Sequence, residues 1–446
     1  MEAVSVLFFI QNFEVKRFDD CAGYREVVKP MLASGLVKDH RISFHERSHE
    51  YVLPLLKSRL SDYAQRCQGK KVVIYGAGIH TESLLSDFEN FNVVAIADRE
   101  KQIQGAVKWG FPIISPEQIQ SYADIVLISS RAFESAIMQD LQAFLPTETE
   151  VLPLYQGLFD RAEWHQSIVN SLLDGLSEFH ADILFFLPSH PEENLRDKYF
   201  QEIKFRYPEL KIITLWWDYD DQTESSKYLA FERESLTYSD LIIENTNYSR
   251  LERMMNREGV YKDHIGAEKV IFHPTVPDPE IFYPRDLPKL YDVAIFGSSA
   301  GKRQEWITFL EQELGDRFHH IGGVSHGDET LPMEAYAKAM AQTKIIVNTQ
   351  TYPFRIQCKG RVREAIGNGV FLLEEKNDET VHLVEDKQGL VYFSGKKQLI
   401  QLITYYLSHE SERRSIEYNG ASLMNRQLSP KYWVETILEK LLTKPY

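Results

Sequence analysis

Apolar residues in this chain fall mostly in short uninterrupted runs, separated by longer amphipathic stretches. Val4 to Ile10, Lys71 to Tyr75, Asn92 to Ala97, Asp124 to Ser129, Asp182 to Leu187, Lys211 to Trp217, Leu241 to Glu244 and Val270 to His273 each read as a strand. Tyr291 to Phe296, Phe318 to Ile321, Ile345 to Asn348, Val370 to Leu373 and Leu390 to Phe393 continue the series. Runs that are apolar at every position suit strands covered on both faces, which is the habit of parallel sheets. Tyr51 to Cys67, Glu163 to Phe179 and Tyr432 to Leu442 carry apolar residues at helical spacing instead. Alternation of the two patterns predicts an α/β chain built from right-handed parallel units.

A length of 446 residues, set against roughly 150 per domain, predicts about three domains. Pro277-Asp278-Pro279 and Pro284-Arg285-Asp286-Leu287-Pro288 make a stiff break in the second half. Four segments follow: 1–69, with no functional reading; 70–155, a Rossmann-like module; 156–288, a second Rossmann-like domain; and 289–446, a third. Whether the N-terminal part stands alone or shares the sheet of the second domain is left open by the sequence.

A hydrophobic fraction of 43% with 26% charged residues is that of a folded globular protein. The formal net charge of -15 argues against a general nucleic-acid binder, which needs a basic face. Cys21, Cys67 and Cys358 have no paired or metal-type spacing, so a reducing cytoplasm is the expected compartment. The apolar run at Met1 to Ile10 lacks a basic flank and a small-residue cleavage site and reads as a strand. No window approaches the roughly 20 apolar residues of a membrane span, so the membrane association left open is peripheral.

The richest chemistry lies in Lys359-Gly360-Arg361-Val362-Arg363-Glu364-Ala365-Ile366-Gly367-Asn368-Gly369, which runs directly into the apolar strand Val370 to Leu373. Cations can meet phosphate oxygens, a carboxylate can accept from two ribose hydroxyls, and glycine at a helix end lets the chain turn sharply into a sheet. Taken alone, Arg361 and Glu364 lie three apart and equally describe a surface pair worth a few tenths of a kcal/mol. The surrounding segments change the balance. Gly297-Ser298-Ser299-Ala300-Gly301-Lys302-Arg303 is a glycine-bounded turn that opens a helix, and cations at a helix start oppose its dipole unless an anion is present. Asn348-Thr349-Gln350 follows a strand, and Gly322-Gly323 offers a second close backbone approach. Gly297, Ser298, Gly301, Lys302, Arg303, Asn348, Lys359, Arg361 and Glu364 are therefore the expected donor-binding set. A second nucleotide site is suggested by Gly76, Gly78 and Asp98, although the third position of that fingerprint is Thr81 or Glu82 instead of glycine.

On Gly297 to Arg303, on Arg363-Glu364-Ala365-Ile366-Gly367-Asn368-Gly369-Val370-Phe371-Leu372-Leu373, and on Gly389 followed by a strand and Leu399, residues from about 180 to 446 resemble a two-domain GT-B glycosyltransferase. The branch is that of the family 1, spore-maturation-protein-like enzymes. The resemblance implies two facing Rossmann-like domains with a cleft between them, and transfer of a sugar from a nucleotide-diphosphate donor without a bound metal. It implies further that Glu364 binds the donor ribose and that Lys302, Arg303 and Lys359 hold the diphosphate. One departure is plain: many such enzymes carry a Glu eight positions before the ribose Glu, and here that place is Ile356.

A transferase of the inverting kind also needs a general base beside the acceptor hydroxyl. His190, after the strand at Asp182 to Leu187, and Asp218 or Asp220, after Trp216-Trp217, are the candidates. His319 and His320 are adjacent and point to opposite faces of a strand, which is poor geometry for one metal. No metal and no cofactor beyond the donor nucleotide is expected. The acceptor is a cell-surface glycan, a lipid-linked precursor or a protein. Two other readings stand beside this one: a NAD-dependent sugar-modifying enzyme using Gly76, Gly78 and Asp98, and a degenerate, non-catalytic sugar-nucleotide-binding protein.

Overall fold

The computed structural model describes residues 3–11, 23–45, 48–130, 133–188, 191, 193–217, 226–322, 331–353 and 355–442. The chain forms two compact units, Met1–His45 with Val169–Tyr446, and Glu46–Ile168. Its strands in order are β1 (Val4–Gln11), β2 (Val37–His45), β3 (Val72–Tyr75), β4 (Val93–Ala97), β5 (Val107–Lys108), β6 (Phe111–Ile114), β7 (Ile125–Ile128) and β8 (Glu150–Pro153). There follow β9 (Ile183–Leu187), β10 (Lys211–Trp216), β11 (Leu241–Glu244), β12 (Val270–Phe272), β13 (Tyr291–Phe296), β14 (Phe318–Ile321), β15 (Thr343–Asn348), β16 (Phe371–Glu375) and β17 (Leu390–Phe393). Every pairing is parallel except that of β5 with β6.

The smaller unit holds one sheet in the order β5-β6-β4-β3-β7-β8. β3 and β7 are wholly buried, as strands with helices on both faces must be.

The larger unit holds two sheets. Its first, β12-β11-β10-β9-β1-β2, takes two strands from the N-terminus. The segment 1–69 is thus divided: β1 and β2 join this sheet, with Phe8 opposite Phe185, whereas helix Ser48–Arg66 belongs to the smaller unit. β2 lies at the sheet edge and exposes Lys38, Asp39, His40 and Arg41, the charged edge that discourages pairing with a further chain.

The second sheet of the larger unit runs β14-β13-β15-β16-β17. From β13 the chain steps to β14 on one side and then returns to β15 on the other. Such a reversal leaves a crevice outside the carboxyl ends of the two central strands, because their following loops part to opposite faces. A continuous apolar core joins the two sheets, from Val6, Phe185 and Ile213 to Phe296, Ile346 and Leu372. Helix Pro430–Leu442 contributes Trp433 to it: the Trp433 ring stacks on His273 and its carbonyl accepts from His273 Nε2 at 3.1 Å.

Helix Gly360–Gly367 leads into β16. It ends as its sequence predicts, with Gly369 at φ 66° and amides of Gly369 and Val370 returning to the carbonyls of Ile366 and Ala365. Ile366 sits where Gly389 and Gly420 touch back to back. A Cβ on Gly420, in the middle of helix Glu410–Arg426, would stand 2.8 Å from Gly389 Cα and 3.2 Å from Ile366 Cγ2. Gly420→Ala is expected to destabilise the larger unit by about 1–3 kcal/mol through overpacking, read as a lower urea midpoint with unchanged slope. An unchanged midpoint would mean that this contact opens without cost.

Candidate functional site

The crevice between β13 and β15 is lined by loop 297–301 and loop 349–359. Gly297 opens the first at φ 100°, a region that favours glycine. A Cβ there would also collide with the guanidinium of Arg361. The Gly297 amide donates to Ile321 O at 2.9 Å, and His320 Nε2 donates to Gly297 O at 2.7 Å, so the turn is fixed from the β14 side. Gly301 closes it at φ 56°, against the Thr351 carbonyl and the Tyr352 ring. The Lys302 amide donates to Thr351 O at 2.8 Å, joining the two loops.

The four cations of this region have different employments. Arg303 is 2% exposed and spans both loops, donating to Ser298 O at 3.1 Å, Thr349 O at 3.2 Å and Thr351 Oγ1 at 2.7 Å. Lys302 pairs with Glu375 at 2.5 Å. Lys359 donates to Gln357 Oε1 at 2.5 Å. Arg361 lies over Gly297 and donates from one NH group to Asn348 Oδ1 at 3.1 Å. Among the described residues no carboxylate pairs with Arg303 or Arg361, and the Nε of each is buried without an acceptor. Burial, together with the positive charge of Arg361, lowers the Arg303 pKa to about 9. Two guanidiniums held this close invite an anion.

Glu364 stands three residues beyond Arg361, on the same face of helix Gly360–Gly367. Tyr336 OH donates to Glu364 Oε2 at 3.3 Å. Burial raises the Glu364 pKa, with the nearby Arg361 charge working against the rise and the Glu26 carboxylate adding to it. Arg363 lies on the side of the helix away from Arg361. It is 3% exposed and donates to Thr275 O and Thr275 Oγ1, the latter at 2.8 Å, and to Asn245 Oδ1 at 3.4 Å. Thr275 Oγ1 in turn donates to Glu26 Oε2 at 3.0 Å. Glu26, Thr275, Asp278, Arg363 and Glu364 line a narrow pocket whose open interior of about 20 Å³ holds little more than one water.

The structure gathers Gly297, Ser298, Gly301, Arg303, Asn348 and Arg361 around one crevice and sets Glu364 beside them. Lys302 and Lys359 lie at its margin with partners of their own. His190, Asp218, Asp220 and Gly323 lie outside the described residues. Sequence reasoning did not single out Glu26 or Tyr336, nor His320 for this role. Glu26 sits in a single irregular turn, Tyr24–Val28, with no pattern of its own. In the smaller unit, Gly76 takes φ 115° and Asp98 Oδ2 accepts from the Ala77 amide at 2.7 Å. Lys108 Nζ donates to Ala77 O at 2.7 Å, and the Thr81 hydroxyl donates to Gly76 O at 2.6 Å. Asp98 therefore closes on its own glycine turn, and Gly78 is exposed. Among the described residues no three His, Cys, Asp or Glu side chains gather as a metal-binding group.

Two family models match parts of the chain: one described as "C2185-like, N-terminal" over residues 68–152, and one described below. No curated protein sequence matches. Among solved structures, HepE from Anabaena in complex with UDP-glucose is 13% identical, with 83% of this chain and 99% of that one covered at a TM-score of 0.43. Sucrose-phosphate synthase from Thermosynechococcus elongatus is 10% identical, covering 83% and 99% at 0.45. A glycosyltransferase from Rickettsia africae is 9% identical, covering all of both chains at 0.43. Scores below 0.5 leave these likenesses too loose to assign an activity. The segment that carries the crevice, residues 285–439, matches the family model described as "Glycosyl transferase-like".

Proposed function

We propose that the protein is a GT-B type glycosyltransferase that moves a sugar from a nucleotide-diphosphate donor to a glycan, lipid-linked or protein acceptor. The observation that carries this reading is the pair of guanidiniums, Arg303 and Arg361, set together at the Gly297 turn with no carboxylate partner among the described residues. A diphosphate supplies the charge they lack. Glu364, one helical turn from Arg361, is placed to accept from ribose hydroxyls on the same ligand. The match of residues 285–439 to a glycosyl transferase-like model supports the transferase reading, and we place the protein in the family 1, spore-maturation-protein-like branch on the Arg363 to Leu373 segment.

In the transfer, the bond between the donor's anomeric carbon and the diphosphate oxygen breaks as the acceptor oxygen bonds to that carbon. The electron pair leaves with the diphosphate, and Arg361 stabilises the developing charge directly. Arg303 acts through its field and through the loop carbonyls it holds. The acceptor hydroxyl loses its proton to a base, for which His190 and Asp218 are our candidates from sequence. Lys302 and Lys359 add positive charge at the margin. The acceptor is left as a class. We assign the reaction to the cytoplasm, where Cys67 and Cys358, both buried free thiols, stay reduced. Among the described residues no helix is long and apolar enough to cross a membrane.

A thermal-shift screen with UDP, GDP, CDP, TDP, their sugars and NAD tests the reading. A ligand at 100 times its Kd adds about 2.7 kcal/mol of stability. One nucleotide diphosphate is expected to stabilise the protein, and Arg361→Ala to cost about 1.5–3 kcal/mol of that binding, the worth of hydrogen bonds to a charged group. Stabilisation by NAD alone, unchanged in Arg361→Ala and Glu364→Ala, would refute the transferase reading. Glu364 also predicts a pH dependence. Only the ionised carboxylate accepts from both ribose hydroxyls, so affinity is full at high pH and falls as pH drops through the raised Glu364 pKa. Calorimetry with the bound nucleotide sugar over a pH series from the ordinary carboxylate range upward should show this fall, and Glu364→Gln should remove the part of it that Glu364 contributes.

A further inference from the structure

Glu374 is a fully buried carboxylate, 0% exposed, that forms no ion pair among the described residues, and the transfer as derived does not use it. Burying an unpaired carboxylate is expensive. Its pKa is pushed up to about 8, chiefly by burial. Its partners show what it does. On adjacent parallel strands, Asn348 and Glu374 stand side by side in register, and Asn348 Nδ2 donates to Glu374 Oε2 at 2.7 Å. The other carboxylate oxygen accepts from Asn377 Nδ2 at 3.1 Å and Thr380 Oγ1 at 3.3 Å. The far end of the Asn348 amide accepts from Arg361 at 3.1 Å. Glu375, Cys358, Tyr392 and Arg303 are the ionisable groups that feel the Glu374 charge.

An asparagine amide has nearly the same shape either way round, so its orientation is decided by its partners alone. Arg361 offers only donors and requires the oxygen. Arg361 disfavours the turned amide, and an acceptor behind the amide fixes its NH2 end as well. We propose that Glu374 is a positioning residue that locks the Asn348 amide with its oxygen toward Arg361, and so holds that guanidinium over Gly297, ready for the diphosphate. The inference rests on the reading of Arg361 as a phosphate ligand. It adds a residue that touches no substrate and whose other carboxylate oxygen holds the Asn377 and Thr380 side chains of the following turn.

The test uses the full chain and inorganic pyrophosphate as probe, with Kd measured by calorimetry for wild type, Glu374→Met and Glu374→Gln, each also in an Arg361→Ala background. Glu374→Met keeps the volume and removes the acceptor, and is expected to weaken binding roughly tenfold, an energy of about 1.4 kcal/mol. Glu374→Gln can still accept from Asn348 and is expected to stay within a few-fold of wild type. In the Arg361→Ala background Glu374→Met should have no further effect, because a group acting through another loses its influence once that other is gone. If Glu374→Met does not fold, Asn348→Ala breaks the same relay and carries the same expectation in both backgrounds. Wild-type affinity in Glu374→Met, or an equal loss with and without Arg361, would overturn the proposal. Pyrophosphate binding that ignores Arg361→Ala would overturn the anion reading beneath it, and this inference with it.

Discussion

The guanidinium of Arg363 is the contact on which the site depends. It lies buried between the two sheets of the larger unit and reaches the carboxyl-end residues Thr275 and Asn245 of the first sheet from a helix of the second. A buried cation without acceptors would be ruinous; here one terminal NH group of Arg363 donates to the Thr275 carbonyl and hydroxyl and to the Asn245 amide oxygen, while its Nε is buried with no hydrogen-bond partner among the described residues. With Arg363 pinned, the helical repeat turns Arg361 to the far side of the helix, and Glu364 lies between the two, lining the narrow pocket with Arg363 and one turn on from Arg361. The same short helix thereby joins the two halves and presents the cation and the carboxylate to the crevice. Gly367, with a notional Cβ 3.3 Å from Phe282 and Pro277, lets the helix lie close enough to the linker for Arg363 to reach.

Much of this architecture was legible because parallel strands buried on both faces announce themselves as unbroken apolar runs. What escaped did so for physical reasons. β2 reads as Val-Lys-Asp-His-Arg because an edge strand is half solvated and is safer charged. The place of β1 could not be read at all, since its neighbour β9 lies far along the chain, with the Ser5 amide bonded to Asp182. A local pattern predicts an element, and only tertiary pairing decides which sheet receives it.

The site shows the same division. Residue types and spacing brought out the Gly297 turn, Asn348 and the Arg361 to Glu364 helix, because a diphosphate and a ribose need those groups. Sequence alone could not rank the cations. Lys302, Arg303, Lys359 and Arg361 look equivalent on the page, and only burial and partnership separate the lysine tied to Glu375, the arginine spent on loop carbonyls and the lysine held by Gln357 from the one left facing the turn. Nor does a pattern reveal Tyr336 or Glu26, which reach Glu364 from a buried helix face and from a single irregular turn.

The electrostatics of the crevice argue for its ligand independently of any likeness. The chain as a whole is strongly acidic, with a formal net charge of -15, so a carboxylate to neutralise Arg303 and Arg361 would be easy to supply. Instead, among the described residues, neither guanidinium has a carboxylate partner, and the positive charge of Arg361 works with burial to lower the Arg303 pKa. The buried carboxylate Glu374 is turned to amides and a hydroxyl. Such an arrangement costs folding free energy that a simple ion pair would have avoided. It is stable in the folded state only because the surrounding loops and strands fix it, and the diphosphate we propose as ligand would remove the repulsion that the fold sustains.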